Sequence, residues 1–483
     1  MSCLGLDLGT TNVKAVVVGD DGAVAARGAA PVGLIHVDGG GVEQDIEEIF
    51  AATVAAIRAA GRSADLSGVE AVGISAQGGA LQILDGDDRP VGRVISWLDG
   101  RGRPFDRAVT AEIGADELAR RTGHPRGTMA LGQLLRIRAE SPSLLAPPHR
   151  VGLVGDVIVG RLCGRRAHDA TSLSCAVLFD PTSGAAETGL LERIGITEDQ
   201  LPNLLGPREP AGGLLADVAA ETGLPAGIPV GPAVHDQYAC ALGVGAVTAG
   251  DVMFGAGTAG VLMAVSDRMM PPAGGNGFSC THVVDGLFGQ ILSMGNGGSS
   301  VTWTLKLLGM EKASGARVDE MIDGVPAGAG GVRFRPFLAP TGGAGLGGDL
   351  AGQLSGLKLR HGPAHVLRAV VEGLCLELKR YLGLLTGTGF DVARLVACGG
   401  AAGSSVTPRI AADVAGLPVA CAAEPDTGAV GAAMLARGLV DAQTPLKDIA
   451  LSMAPDERAV EPGRDANVYS TLFEEYVKSL SET

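Results

Sequence analysis

Two glycine–threonine turns stand about half a chain apart, Gly9-Thr10-Thr11 and Gly257-Thr258-Ala259. Glycine lets backbone N–H groups come close to an anion, and threonine hydroxyls add donors, so such a pair suits a clamp on phosphate. Asp7 precedes the first turn and Lys14 follows it. A carboxylate repels phosphate, but it can hold Mg2+, directly or through water, and the metal can bridge phosphates. Lys14 would add positive charge nearby. Taken singly, each turn reads as an ordinary tight turn, with Asp7 as its capping acid. The repetition is what favours the clamp.

A third candidate lies in Gly231-Pro232-Ala233-Val234-His235-Asp236-Gln237, after the apolar run Ile228–Val230. An acid at the end of a strand can accept a hydroxyl proton during phosphoryl transfer, which casts Asp236 as a general base. The alternative is Asp236 as the N-cap of a helix over Tyr238–Gly243. Gly255, Gly257 and Gly260 also spell G-x-G-x-x-G. A dinucleotide site would need a helix next, whereas Val261–Val265 continues as a β-branched strand. No Gly-Lys dipeptide occurs, so a P-loop is absent.

The elements that position these residues alternate strands and helices, an α/β class. Leu4–Leu8, Val13–Val18 and Ala23–Ala30 read as strands joined by tight turns. Ile46, Ile49, Phe50, Val54 and Ile57 mark one face of a helix reaching about Ala60, and Val69–Ser75 and Leu81–Leu84 follow as strands. Val252–Ala256 and Val261–Val265 repeat the first hairpin around the second turn, so two related domains are expected. The glycine-rich, charge-free segment Leu242–Gly250 reads as a hinge before it. Val468, Leu472, Tyr476 and Leu480 recur every fourth residue, a helix expected to dock on the second domain. The expected domains are 1–245, 246–443 and a helical tail 444–483.

Composition excludes other classes. The chain has 483 residues, 75 of them glycine, with 46% apolar residues, enough for a packed core. A net charge of −15 argues against nucleic acid as a partner. The longest nearly uninterrupted apolar run, Val252–Val265, is too short to span a bilayer. Eight scattered cysteines without a C-x-x-C point to buried thiols in a reducing compartment, and the expected location is the cytoplasm.

Taken in order, these segments resemble the FGGY carbohydrate kinases. The resemblance runs from Leu4 to about Gly438. Leu4–Thr11 looks like the first phosphate motif, and Glu43-Gln44-Asp45 like the family's E-Q-D. Trp97-Leu98-Asp99-Gly100-Arg101 is similar to W-x-D-x-R on the sugar side. His235-Asp236-Gln237 matches the catalytic base position, and Gly255–Thr258 the second phosphate motif. Gly399-Gly400-Ala401 resembles the adenosine motif, and Glu424–Ala433 the last family segment.

The resemblance implies two actin/hexokinase-like (ribonuclease H-like) α/β domains flanking a catalytic cleft, with ATP and Mg2+ as cofactors and a sugar or polyol as substrate. It implies Asp236 as the base and Asp7 at the metal. Gly9, Thr10, Thr11, Lys14, Gly257, Thr258, Gly399, Gly400 and Ala401 would hold the nucleotide. Gln77, Gln82, Asp99, Arg101 and Gln237 are the candidate hydroxyl partners. A homodimer is the family-level expectation. The expected reaction is phosphorylation of an open-chain ketose or polyol, with D-xylulose the first guess. The alternatives are gluconate, ribulose, erythritol or glycerol, or a silent sugar-sensing homologue. Departures concern the substrate. Xylulokinases carry Met-His after the glutamine where this chain has Gln77-Gly78-Gly79. Gly41-Val42 and Pro340–Gly345 also stand where relatives carry larger groups. A roomier site, or a different sugar, is the expectation.

Overall fold

A computed structural model describes residues 2–338, 344–346 and 350–481. The chain forms two compact units. The first comprises Met1–Val247, Ser279–Gly289 and Asp426–Ala454; the second comprises Thr248–Phe278, Gln290–Pro425 and Pro455–Thr483. Each unit is therefore assembled from separated stretches of chain. The expected tail is shared, with helix Leu446–Met453 in the first unit and helix Ala466–Ser481 in the second.

The first unit is built on a mixed sheet. Its strands run Asn203–Leu204, Ala167–His168, Pro229–His235, Val69–Ala76, Ser2–Leu8, Asn12–Gly19 and Val24–Pro31. Ser2–Leu8 and Asn12–Gly19 form the expected antiparallel hairpin, while Val69–Ala76 runs parallel to both Ser2–Leu8 and Pro229–His235. Parallel strands buried on both faces read as continuous apolar runs, and Val69–Ala76 is buried at every position but Glu70. Helix Ile46–Ala60 starts at Asp45, whose side chain accepts the Glu47 N–H, and buries Ile46, Ile49, Val54 and Ile57.

Much of the glycine in this unit serves close packing. Helix Thr427–Val440 lies on strands Ser2–Leu8 and Val69–Ala76 and on helix Asp236–Gly243. A Cβ at Gly5 would overlap the Ala429 carbonyl, one at Gly73 the Ala432 carbonyl, and one at Gly431 the Ala239 carbonyl. Bare backbone on both partners lets the helix sit directly against the sheet. Leu242 to Val247, read from sequence as a hinge, is buried here, and a Cβ at Gly243 would overlap the Thr427 carbonyl.

The second unit repeats the hairpin. Asp251–Ala256 pairs antiparallel with Gly260–Ser266 and parallel with Arg394–Cys398, which runs parallel to Val419–Ala422. Helix Pro363–Thr386 crosses the core and holds the C-terminal helix through two buried ionic clusters. Glu372 Oε1 accepts from Arg368 Nε at 2.7 Å and from the Tyr469 hydroxyl at 2.8 Å. Glu377 accepts from Arg380 Nε at 2.8 Å and from the Tyr476 hydroxyl at 2.7 Å. Leu472, Tyr476 and Leu480 are buried as expected, but Val468 is 43% exposed and Tyr469 takes its place, because the buried stripe steps back from Leu472 by three residues and not four.

All eight cysteines are free thiols. Among the described residues, no helix is long and apolar enough to cross a membrane.

Candidate active site

Strand register brings the first unit's polar residues together. Asp7, Ser75 and Val234 lie in one row across three parallel strands, and Leu8, Ala76 and His235 in the next. Gly9-Thr10-Thr11, Gln77 and Asp236 therefore leave the sheet at the same edge. Carboxyl ends of parallel strands are where α/β sheets bind ligands, because the chain turns there and side chains are free of the ladder.

Ser75 Oγ donates to Asp7 Oδ1 at 2.8 Å. Burial, reinforced by the like charge of Asp236, pushes the Asp7 carboxyl up to about 6. Asp236 is the first residue of its helix, and His235 holds the N-cap position without a side-chain bond, so Asp236 is not an N-cap. Its side chain retains 29% exposure, and burial pushes its carboxyl up to about 6. Gln237 Nε2 donates to Asp236 Oδ1 at 3.2 Å.

A ring of hydrogen bonds fixes the first turn. Trp97 Nε1 donates to Thr10 Oγ1 at 2.9 Å, and that hydroxyl donates to Gln77 Oε1 at 3.3 Å. Gln77 Nε2 donates to Gln44 Oε1 at 3.0 Å, and Gln44 Nε2 returns to the Thr10 carbonyl at 2.9 Å. Trp97 is 40% exposed, so its ring faces outward beside Thr10. Thr11 is exposed at the tip of the turn, where its hydroxyl accepts from Asn12.

Other candidates hold structural partners. Lys14 stands opposite Asp7 in the hairpin, but its ammonium pairs with Asp426 at 2.9 Å. Burial would raise the Asp426 carboxyl, yet Lys14 and Arg27 outweigh it and hold it below the usual carboxylate range. Arg101 pairs with Asp99 at 2.6 Å and with Glu43 at 2.8 Å, and Asp99 also accepts the Val42 N–H. Gln82 is fully buried, and its amide donates to the Ile83 carbonyl at 2.8 Å. Among the expected sugar partners, Gln77 and Gln237 thus lie with Asp236 at the strand ends, whereas Gln82 takes a place inside its own sheet.

The roomier site expected from glycine is corrected. The space beside three of those glycines is filled by other segments. A Cβ at Gly78 would overlap the His235 ring and the Cys175 sulfur, and one at Gly41 would lie 2.7 Å from Arg101 Nε. At Gly79, where φ is +71°, it would lie 2.8 Å from Met129 Cβ. The replaced loop Pro340–Gly343 lies outside the described residues.

In the second unit, Gly257 and Thr258 share a cavity of about 900 Å³ with Gly400 and Ala401. A Cβ at Gly400 would meet nothing within 4 Å, and one at Gly257 only the Ala259 carbonyl at 3.9 Å, so both present bare backbone to open space. Gly399, with φ +79°, turns the chain there against Ala256. The turn is tied to the start of helix Gly298–Leu307: Gly298 N donates to the Gly257 carbonyl and Ser299 N to that of Thr258. Phe254, Trp303, Val318 and Leu374 supply apolar walls. Two motif-poor stretches, around Asn296–Ser299 and at Trp303, thus join the site. No spacing rule marked them, since they reach the turn only through the tertiary fold.

Comparison with known proteins decides the family. Residues 2–243 match the N-terminal domain of the FGGY family of carbohydrate kinases, and residues 252–437 match its C-terminal domain. The chain belongs to the FGGY family of carbohydrate kinases. It has the two-domain α/β fold of these kinases and is a phosphotransferase with an alcohol group as acceptor. Among relatives, the xylulose kinase of Escherichia coli (strain K12) is 28% identical, covering 96% of this chain and 97% of the relative. The L-xylulose/3-keto-L-gulonate kinase of the same strain is also 28% identical, covering 94% and 93%. The crystal structure of xylulose kinase from Rhodospirillum rubrum superposes with a TM-score of 0.89 at 26% identity, covering 100% of this chain and 99% of that one.

Proposed function

We propose that this FGGY kinase transfers the γ-phosphoryl group of ATP to a hydroxyl of an open-chain ketose or polyol, with D-xylulose the first candidate, and that Asp236 is the general base. The observation carrying this reading is the shared carboxyl edge of three parallel strands. It places Asp236 with Asp7, Gln77 and the Gly9–Thr11 turn. A carboxyl at about 6 is ionised near neutral pH yet basic enough to accept a hydroxyl proton as the new P–O bond forms. Gln237 steadies the carboxylate oxygen from the adjoining position. The Gln77 amide, bonded to Gln44 and Thr10, holds the first turn in place beside them.

Asp7 fits Mg2+ by its chemistry. It is a hard oxygen donor held by Ser75, and a cation would relieve the repulsion from Asp236. When bound, the ion would neutralise phosphate charge. Gly257, Thr258, Gly400 and Ala401 would receive the nucleotide against bare backbone in the second unit.

The test is ADP release with magnesium across ketoses, polyols and sugar acids, the last because one relative is named for a keto-gulonate. The reading expects turnover that depends on a ketose or polyol. ATP turnover indifferent to every sugar would refute it, and turnover with sugar acids alone would move the substrate assignment.

A further inference from the structure

The loop that carries Gly400 and Ala401 leaves strand Arg394–Cys398 and runs to helix Thr407–Ala415. Its bond to the neighbouring strand is long, with Ala401 N donating to the Ala256 carbonyl at 3.4 Å. Asp319, on helix Gly315–Asp323, holds the loop at closer range. Asp319 Oδ1 accepts from Ser404 Oγ at 2.7 Å. Oδ2 accepts from the Ser405 N–H at 2.7 Å and from Ser405 Oγ at 2.9 Å. An ionised carboxylate offers only acceptors, so one side chain can take two hydroxyl protons and a backbone N–H together. Ser404 Oγ is fixed from its other side, where it accepts the N–H groups of Val406 and Thr407 at 3.2 and 3.0 Å. Val318 and Ile322 bury the Asp319 helix in the core of the second unit, so the carboxylate stands on an anchored support. Asp319 lines the same cavity as Gly400, Ala401 and Ser404.

We propose that Asp319 is a positioning residue for the nucleotide, its carboxylate fixing the loop after Cys398 so that the bare backbone of Gly400 and Ala401 is in place before the nucleotide arrives. This rests on the reading that the nucleotide lies against Gly400 and Ala401. Asp319 takes no part in phosphoryl transfer. A loop ordered in advance spares binding the entropy of ordering it, so the effect falls on nucleotide affinity and not on the chemical step.

ADP titrated into the whole protein, with steady-state kinetics alongside, tests this. Asp319→Ala should weaken ADP binding and raise the KM for ATP about ten- to a hundredfold, the usual worth of hydrogen bonds to a charged group. The KM for the sugar and kcat at saturating ATP should stay unchanged. Asp319→Asn keeps an amide oxygen for the two Ser405 donors and should stay within about threefold of wild type. If the Ala variant shows no cooperative melting curve, Ser405→Ala takes its place, with a loss of about threefold expected for the one hydroxyl bond removed. Wild-type ADP affinity in the Ala variant, or in its replacement, overturns the proposal. An Asn variant as weak as Ala overturns it too, as does a KM for the sugar that rises as far as that for ATP. Failure of the underlying reading looks different. A side chain at Gly400 would enter open space, so Gly400→Val should block ADP, and ADP binding by that variant as in wild type would refute both the reading and the proposal.

Discussion

Asp7 lies against Gly428, where a Cβ would stand 3.2 Å from the carboxyl carbon. The glycine opens helix Thr427–Val440, so a residue at position 7 and a helix begun more than 400 residues later shape one corner of the site. The same helix meets Gly5 and Gly73 in the sheet and crosses helix Asp236–Gly243 at Gly431. Gly431→Ala would force these helices apart, and overpacking of this kind costs about 1–3 kcal/mol. Urea unfolding should show the loss, together with reduced sugar-dependent turnover, because the helix carrying Asp236 must shift. Unchanged stability would mean that the contact is looser than the backbone spacing implies.

Acidification should silence the enzyme before it unfolds it. Asp236 titrates at about 6 in the fold against 3.8 ordinarily. As pH falls through 6 the proposed base becomes protonated, so kcat should drop about tenfold per unit below it. Stability runs the other way. Between 3.8 and 6 the native state holds this proton more tightly than the unfolded chain, so this group's contribution falls as pH rises through that window and stays low above it. Asp236→Asn should therefore gain about 1–2 kcal/mol at pH 8, allowing for solvent screening, and lose that part of the pH dependence. Thermal melts of both proteins at pH 5 and pH 8 measure it.

How much of this was legible in the sequence depends on the distance over which each feature is built. The hairpins and helix Ile46–Ala60 follow from local periodicity and appear within one or two residues of their expected bounds, and the C-terminal helix appears at Ala466–Ser481. Asp7 and Asp236 were visible because each sits in a short motif at a strand end. The roles of Gly5, Gly73 and Gly78 were not, since their partners come from remote stretches. Asp99 and Arg101 read as candidate hydroxyl partners, and in the fold each supplies much of the other's bonding. Only tertiary contact reveals that.

Trp97 ties the outer loop to the first turn through Thr10. Trp97→Phe keeps the ring but removes that donor. A neutral hydrogen bond is worth about 0.5–1.5 kcal/mol, so kcat/KM for the sugar should fall about three- to tenfold. An unaltered kcat/KM would show that the turn needs no such tether.

The C-terminal helix should depend on its two tyrosine hydroxyls. Glu372 and Glu377 are buried carboxylates, and each accepts from one tyrosine. Tyr469→Phe and Tyr476→Phe should each cost about 1–3 kcal/mol in denaturant unfolding, because a buried charged acceptor loses a donor. Neutral substitution at both sites would mean that Arg368 and Arg380 satisfy the carboxylates alone.

The central claim is that Asp236 accepts the proton of a sugar hydroxyl during phosphoryl transfer. Its most direct measurement compares wild type with Asp236→Asn for transfer of labelled γ-phosphate from ATP to the best sugar, alongside nucleotide affinity. The account expects transfer to fall by about 10²- to 10⁴-fold with nucleotide affinity retained. Transfer at close to the wild-type rate by the Asn variant would contradict it.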